Sequence, residues 1–253
     1  MLTLNEAELF QGSAALIAAW RLASLGLARS QTAILSFLCL SSLCCFLLST
    51  LPAASDYYFW IFLVCTGCTW AVSAWSVREM FSLSMAHYPG IRSAARWVLY
   101  ASIAFSFLFS AGLAVSGWLK GPHGQTSLYY IQGADRVVVL TLAAIVAGLL
   151  WFLSRYPLHL SRNTYTSCIL FSLVFVSEGV ADLIDSFAPW LYWVGVDTAE
   201  VLLGAILFLG WAFLLRQETF APARRVTFDD PRETDLLRQL DAMNRLLSRV
   251  GRR

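Results

Sequence analysis

The chain has 253 residues, 58% of them hydrophobic and only 13% charged, with a mean hydropathy of +0.64. A soluble domain carries roughly a quarter charged residues, so disordered, collagen-like and ordinary soluble classes are excluded. The formal net charge of +2, with no basic patch, excludes a nucleic-acid binder and leaves an integral membrane protein embedded in a lipid bilayer.

A helix crossing the hydrocarbon needs about 20 mostly apolar residues. Seven stretches meet that length, and together they predict an all-α, multi-pass seven-transmembrane-helix bundle over residues 1–216. The first, 7–27, is the weakest, because it is barely long enough and holds Glu8 and Arg21. The start MLTLNEAELF lacks a basic n-region and a small-residue cleavage site, so no removable signal peptide is expected. The second, 31–51, holds Cys39, Cys44 and Cys45. The third, 57–86, opens on Tyr57, Tyr58, Phe59 and Trp60, carries Cys65 and Cys68, and ends near Arg78 and Glu79. Arg155, from the end of the fifth span, is expected to meet Glu79 across the bundle.

The fourth span, 91–118, is free of acidic residues. The fifth, 128–155, carries Asp135 and Arg136. In the sixth, 161–187, Glu178 and Asp182 stand four apart on one helix face, with Asp185 nearer the end. In the seventh, 190–216, Asp197 and Glu200 stand three apart, again on one face. Pro52, Pro89, Pro122, Pro157 and Pro189 fall one per connection from the second span to the seventh, and no span contains a proline.

Residues 217–253 form a cytoplasmic tail with eight arginines. Asp230-Pro231-Arg232-Glu233 reads as a helix start, with a capping Asp and Pro at the first helical position. Leu236, Leu240, Met243, Leu247 and Val250 then repeat at alternating spacings of four and three, predicting an amphipathic helix over about 231–250. It would lie on the inner leaflet, form a homodimer seam, or dock a cytoplasmic partner.

Arginine placement sets the orientation. With the amino terminus out, the inner side receives Arg21, Arg29, Arg92, Arg96, Arg155, Arg162 and the whole arginine-rich tail. The outer connections then keep only Lys120, so the amino terminus is expected outside and the carboxyl terminus in the cytoplasm. A plasma or inner membrane fits this asymmetry. Tyr57, Trp60, Trp118, Tyr129, Trp190 and Trp193 would gather at the outer face as an interfacial belt or a ligand-stacking mouth.

That topology puts Asp135, Arg136, Asp182 and Asp197 about 10 Å below the outer boundary, with Glu178 and Glu200 somewhat deeper. Ionisable groups at depth are costly and mark function by default. Five carboxylates face a single arginine, so some must hold protons or a cation must sit among them. The six are therefore candidate ligands for a small cation, a proton or a polar molecule. The competing reading is a structural network in which acids clamp Arg136.

Other chemistries find little footing. The topology resembles the rhodopsins, whose retinal implies a lysine in the seventh helix; the one lysine here is Lys120, in a connection, so retinal is not expected. Membrane hydrolases of the ceramidase and adiponectin-receptor kind are similar in helix count and imply zinc-binding histidines. His87, His123 and His159 all lie at helix ends or in loops, which argues against zinc and against a haem pair. Cys65-Thr66-Gly67-Cys68 has metal-ligand spacing, but no second pair or nearby histidine completes it. With no catalytic motif, the protein is not expected to be an enzyme. The sequence reading is a sensory or signalling protein that relays pocket occupancy through its tail. A small proton- or cation-coupled transporter or channel, or a structural subunit of a membrane complex, is the alternative.

Overall fold

The computed structural model describes residues 4–51, 56–85, 89–120, 125–155, 162–187 and 193–216, with Gln239, Ala242 and Arg245 beyond them. The tail positions Leu236, Leu240, Met243, Leu247 and Val250 lie outside the described residues. Seven α-helices make up the rest: α1 Leu4–Ser24, α2 Thr32–Thr50, α3 Asp56–Ser84, α4 Pro89–Lys120, α5 Gln125–Arg155, α6 Arg162–Phe187 and α7 Trp193–Leu214. Pro89 opens α4, where its missing N–H is no loss. The first helix ends three residues before the expected 27, because Gly26 adopts a left-handed φ of 72° and stops it. A 3-10 turn at Leu27–Arg29 then leads into α2.

Six helices, α2 to α7, are long and apolar enough to cross a membrane. The protein is thus a helical, multi-pass membrane bundle. α1 carries Glu6, Glu8 and Arg21 and is not among the six. It nevertheless runs antiparallel beside α2: Asn5 Nδ2 donates to Ser49 O at 3.5 Å near one end, and Gly12 packs on Ser42 and Cys45 further in. At 21 residues it is about 31 Å long, close to the ~30 Å hydrocarbon thickness. Its buried face is Ala7, Gly12, Ala14, Ala15, Ala18, Ala19 and Leu22, small residues that let backbones approach closely where lipid supplies no hydrophobic drive.

The helices close into a ring, α1–α2–α3–α5–α6–α7, with α7 returning to pack on α1. α4 stands outside this ring and packs chiefly on α5. Two serines fasten it there: Ser110 Oγ donates to Ala134 O at 2.9 Å and Ser106 Oγ to Val137 O at 3.4 Å. One half of the ring is filled by aromatic rings. Phe171 packs at 4.9 Å from Phe37, 5.2 Å from Trp211 and 5.3 Å from Phe175 between ring centroids. Phe208 completes the plug at 6.1 Å from Trp211.

Polar fasteners hold the plugged end. The Glu79 carboxylate accepts the backbone N–H groups of Thr32 at 3.1 Å and Ala33 at 2.9 Å. It therefore caps the start of α2, whose first N–H groups have no helical partner. This is where Glu79 is engaged, rather than on Arg155 as expected; Arg155 is exposed. The buried Asn163 side chain donates to Arg216 O at 2.6 Å and accepts from Arg216 N at 3.1 Å, tying α6 to the chain just past α7. Asn163→Ala is expected to lower stability by about 2 kcal/mol, since it strands a backbone donor and acceptor together. Unfolding from mixed micelles checks this, and Asn163→Asp, which keeps the acceptor, should lose less.

Candidate functional site

The unplugged half of the ring holds a cavity of about 190 Å³. Five of the ring's six helices line it. α2 contributes Cys44 and Leu48, and α3 contributes Phe62, Cys65, Thr66, Thr69, Trp70 and Ser73. α5 contributes Asp135, Val138, Val139 and Leu142; α6 Phe175, Glu178 and Asp182; and α7 Glu200. Four of the six candidate charges thus share one wall. The acids meet because each helix repeats every 3.6 residues: Glu178 and Asp182, one turn apart, face inward together.

Each carboxylate has a different setting. Asp135 accepts a hydrogen bond from the indole Nε1 of Trp70, which links α5 to α3. Glu178 sits at the centre, with Glu200, Asp135 and Asp182 as its electrostatic neighbours. No hydrogen-bond donor reaches Glu178 among the described residues, and its carboxylate opens into the cavity. Phe175, three residues earlier in α6, lines the cavity and belongs to the aromatic plug. Among the described residues no arginine, lysine or histidine lines the cavity.

Arg136 and Asp197 are not on this wall. Arg136 follows Asp135 by one residue, about 100° round the helix, so Asp135 lines the cavity and Arg136 does not, although its charge stays within electrostatic reach of Asp135. Its Nε is buried with no hydrogen-bond partner among the described residues. Asp197 lies one turn nearer the start of α7 than Glu200 and falls within electrostatic reach of Tyr58. Asp185 is helical, but its side chain lies outside what is described.

Sequence reasoning missed several members of the site. Trp70 looked like one more aromatic in an aromatic-rich span, and no local signal marks it as the partner of Asp135. Thr66, Thr69 and Ser73 fall at helical spacing with Trp70, a polar stripe that could have been read as a wall. Glu8 appeared only as a flaw in the first span; it shares Tyr58 as an electrostatic neighbour with Asp197, which places it at the cavity end of the ring. Cys44 of α2 and Cys65 of α3 both line the cavity. Among the described residues no group of three or more His, Cys, Asp or Glu side chains is arranged to hold a metal ion.

Chemically, the cavity is a small, acid-walled, one-ended chamber. Its volume is near that of a benzene-sized void and below the roughly 300–1,000 Å³ of typical ligand pockets. Clustered carboxylates in a low-dielectric bundle favour protons or a compact cation. Comparison with known protein families, with curated proteins and with solved structures finds no match to this chain.

Proposed function

We propose that this is a sensory or signalling membrane protein whose acid-lined cavity binds a small organic cation arriving at the end of the ring where α1 begins. The single observation that carries the reading is Glu178: a carboxylate with no hydrogen-bond donor among the described residues, in a cavity whose other described charged lining residues are Asp135, Asp182 and Glu200. A primary ammonium supplies three donors and a compact positive charge for Glu178. The packed rings of Phe171, Phe175, Phe208 and Trp211 beneath favour binding over conduction, since a channel needs a continued path. In this reading occupancy shifts the packing of α5, α6 and α7, and the arginine-rich tail passes the change to a cytoplasmic partner.

The test is thermal unfolding of the purified protein in micelles with ethylammonium chloride against sodium chloride at equal ionic strength. Wild type is expected to gain several degrees with ethylammonium, as any ligand selective for the folded state must produce. Glu178→Gln is expected to keep or raise the basal stability, because it removes a crowded charge, and to lose the ethylammonium shift entirely. A structural network predicts the opposite sign: Glu178→Gln then destabilises, and also removing Arg136 restores stability. That outcome would replace the binding reading with an ion-pair framework.

A further inference from the structure

Glu200 belongs to two surfaces at once. It lines the acid-walled cavity, and it also lines a groove of about 390 Å³ on the outside of the ring between α6 and α7. The rest of that groove is largely apolar, including Val180, Ile184, Ala199 and Leu203. Val180, Ile184 and Leu203 are 49%, 45% and 43% exposed within helices long and apolar enough to cross the membrane, so their open faces meet acyl chains. Small residues such as Ala199 and Gly195 leave the groove open along α7. An acidic chamber and a lipid-facing apolar slot therefore meet at one carboxylate.

We propose that the ligand is a single-chain amphiphile with a protonated amine head, which enters sideways from the bilayer between α6 and α7. The head reaches Glu200 and Glu178 in the cavity, and the alkyl chain lies in the groove. This rests on the cation-binding reading above. Size favours it: the cavity takes a headgroup and a few carbons, while the groove, about twice as large, gives a longer chain somewhere to lie. Each methylene in lipid contributes about 0.8 kcal/mol to partitioning, so a long-chain amine concentrates in the bilayer that the groove faces.

The experiment uses the full chain in nanodiscs of zwitterionic phosphatidylcholine, with dodecylamine bearing a photoreactive diazirine at mid-chain. Cross-links mapped by mass spectrometry are expected on α6 around Val180 and Ile184 and on α7 around Val196 and Leu203. Unlabelled dodecylammonium should displace them, and dodecyl sulfate should not. Ala199→Trp, and independently Val180→Trp from the other wall, should each cut this labelling at least tenfold. Phe213→Ala, on the lipid face of α7 away from the groove, should leave it unchanged. Labelling spread evenly over the lipid-facing helices, or unaffected by both tryptophans, overturns lateral entry. If ethylammonium still stabilises wild type in that case, the cavity reading stands without the lateral route. If ethylammonium has no effect either, both fall together.

Discussion

Trp211→Ala is expected to destabilise the bundle by about 3 kcal/mol, among the largest losses from one side chain. Trp211 is fully buried, packs edge-on against Phe171 at 5.2 Å and donates its indole N–H to Ser167 Oγ at 3.3 Å. Part of the usual cost of a large-to-small change is transfer from water, and in a bilayer that part is small, because lipid is as apolar as the core. What remains is lost van der Waals contact and the void itself, together with a hydroxyl short of one donor. Trp211→Phe should recover most of the packing and not the hydrogen bond. Unfolding titrations in mixed micelles give the difference directly. The same variant probes function: if the aromatic plug closes the cavity from below, Trp211→Ala should open a water path and make Cys168, buried and next in sequence to Ser167, reactive to a small polar thiol reagent.

Gly12→Leu is the second large effect. A Cβ at Gly12 would lie 3.0 Å from Cys45 Cβ and 3.3 Å from Ser42 O, and the backbone oxygen has little freedom to move. Leucine is the better helix former by about 0.8 kcal/mol, so the two contributions oppose each other. Overpacking against a neighbouring backbone costs about 3 kcal/mol with a side chain of this size, and the clash wins. The expected net loss is about 2 kcal/mol. Its consequence reaches further than α2. Gln11, the preceding residue, accepts from Cys45 Sγ at 3.5 Å and also lies against Gly204 of α7. Displacing α1 therefore loosens the α1–α7 closure of the ring as well. Cys45→Gly should restore part of the stability of Gly12→Leu, whereas a cysteine change distant from α1, such as Cys65→Ala, should not. Additive losses in the Gly12–Cys45 double variant would show that α1 does not pack as closely as the geometry states.

Helix number, approximate ends and the pairing of acids within one helix were legible without coordinates. The reason is local: in lipid each backbone N–H and C=O must be satisfied inside its own segment, so long apolar stretches become helices regardless of their neighbours. The four-residue spacing of Glu178 and Asp182 likewise places both on one face by helical geometry alone. Coincidence of depth among Asp135, Glu178, Asp182 and Glu200 followed from the same rise per residue. Rotation of each helix about its own axis did not follow. Helices that are apolar nearly all round carry little record of which face turns inward, and in a bilayer packing with neighbours decides it. Only the tertiary structure therefore set Asp135 in the cavity lining and Arg136 and Asp197 off it, and brought Trp70 to Asp135. It also placed α4 outside the ring and gave Glu79 to the start of α2. Those pairings join residues far apart in the chain, whose meeting depends on how seven helices share one cross-section rather than on any one of them.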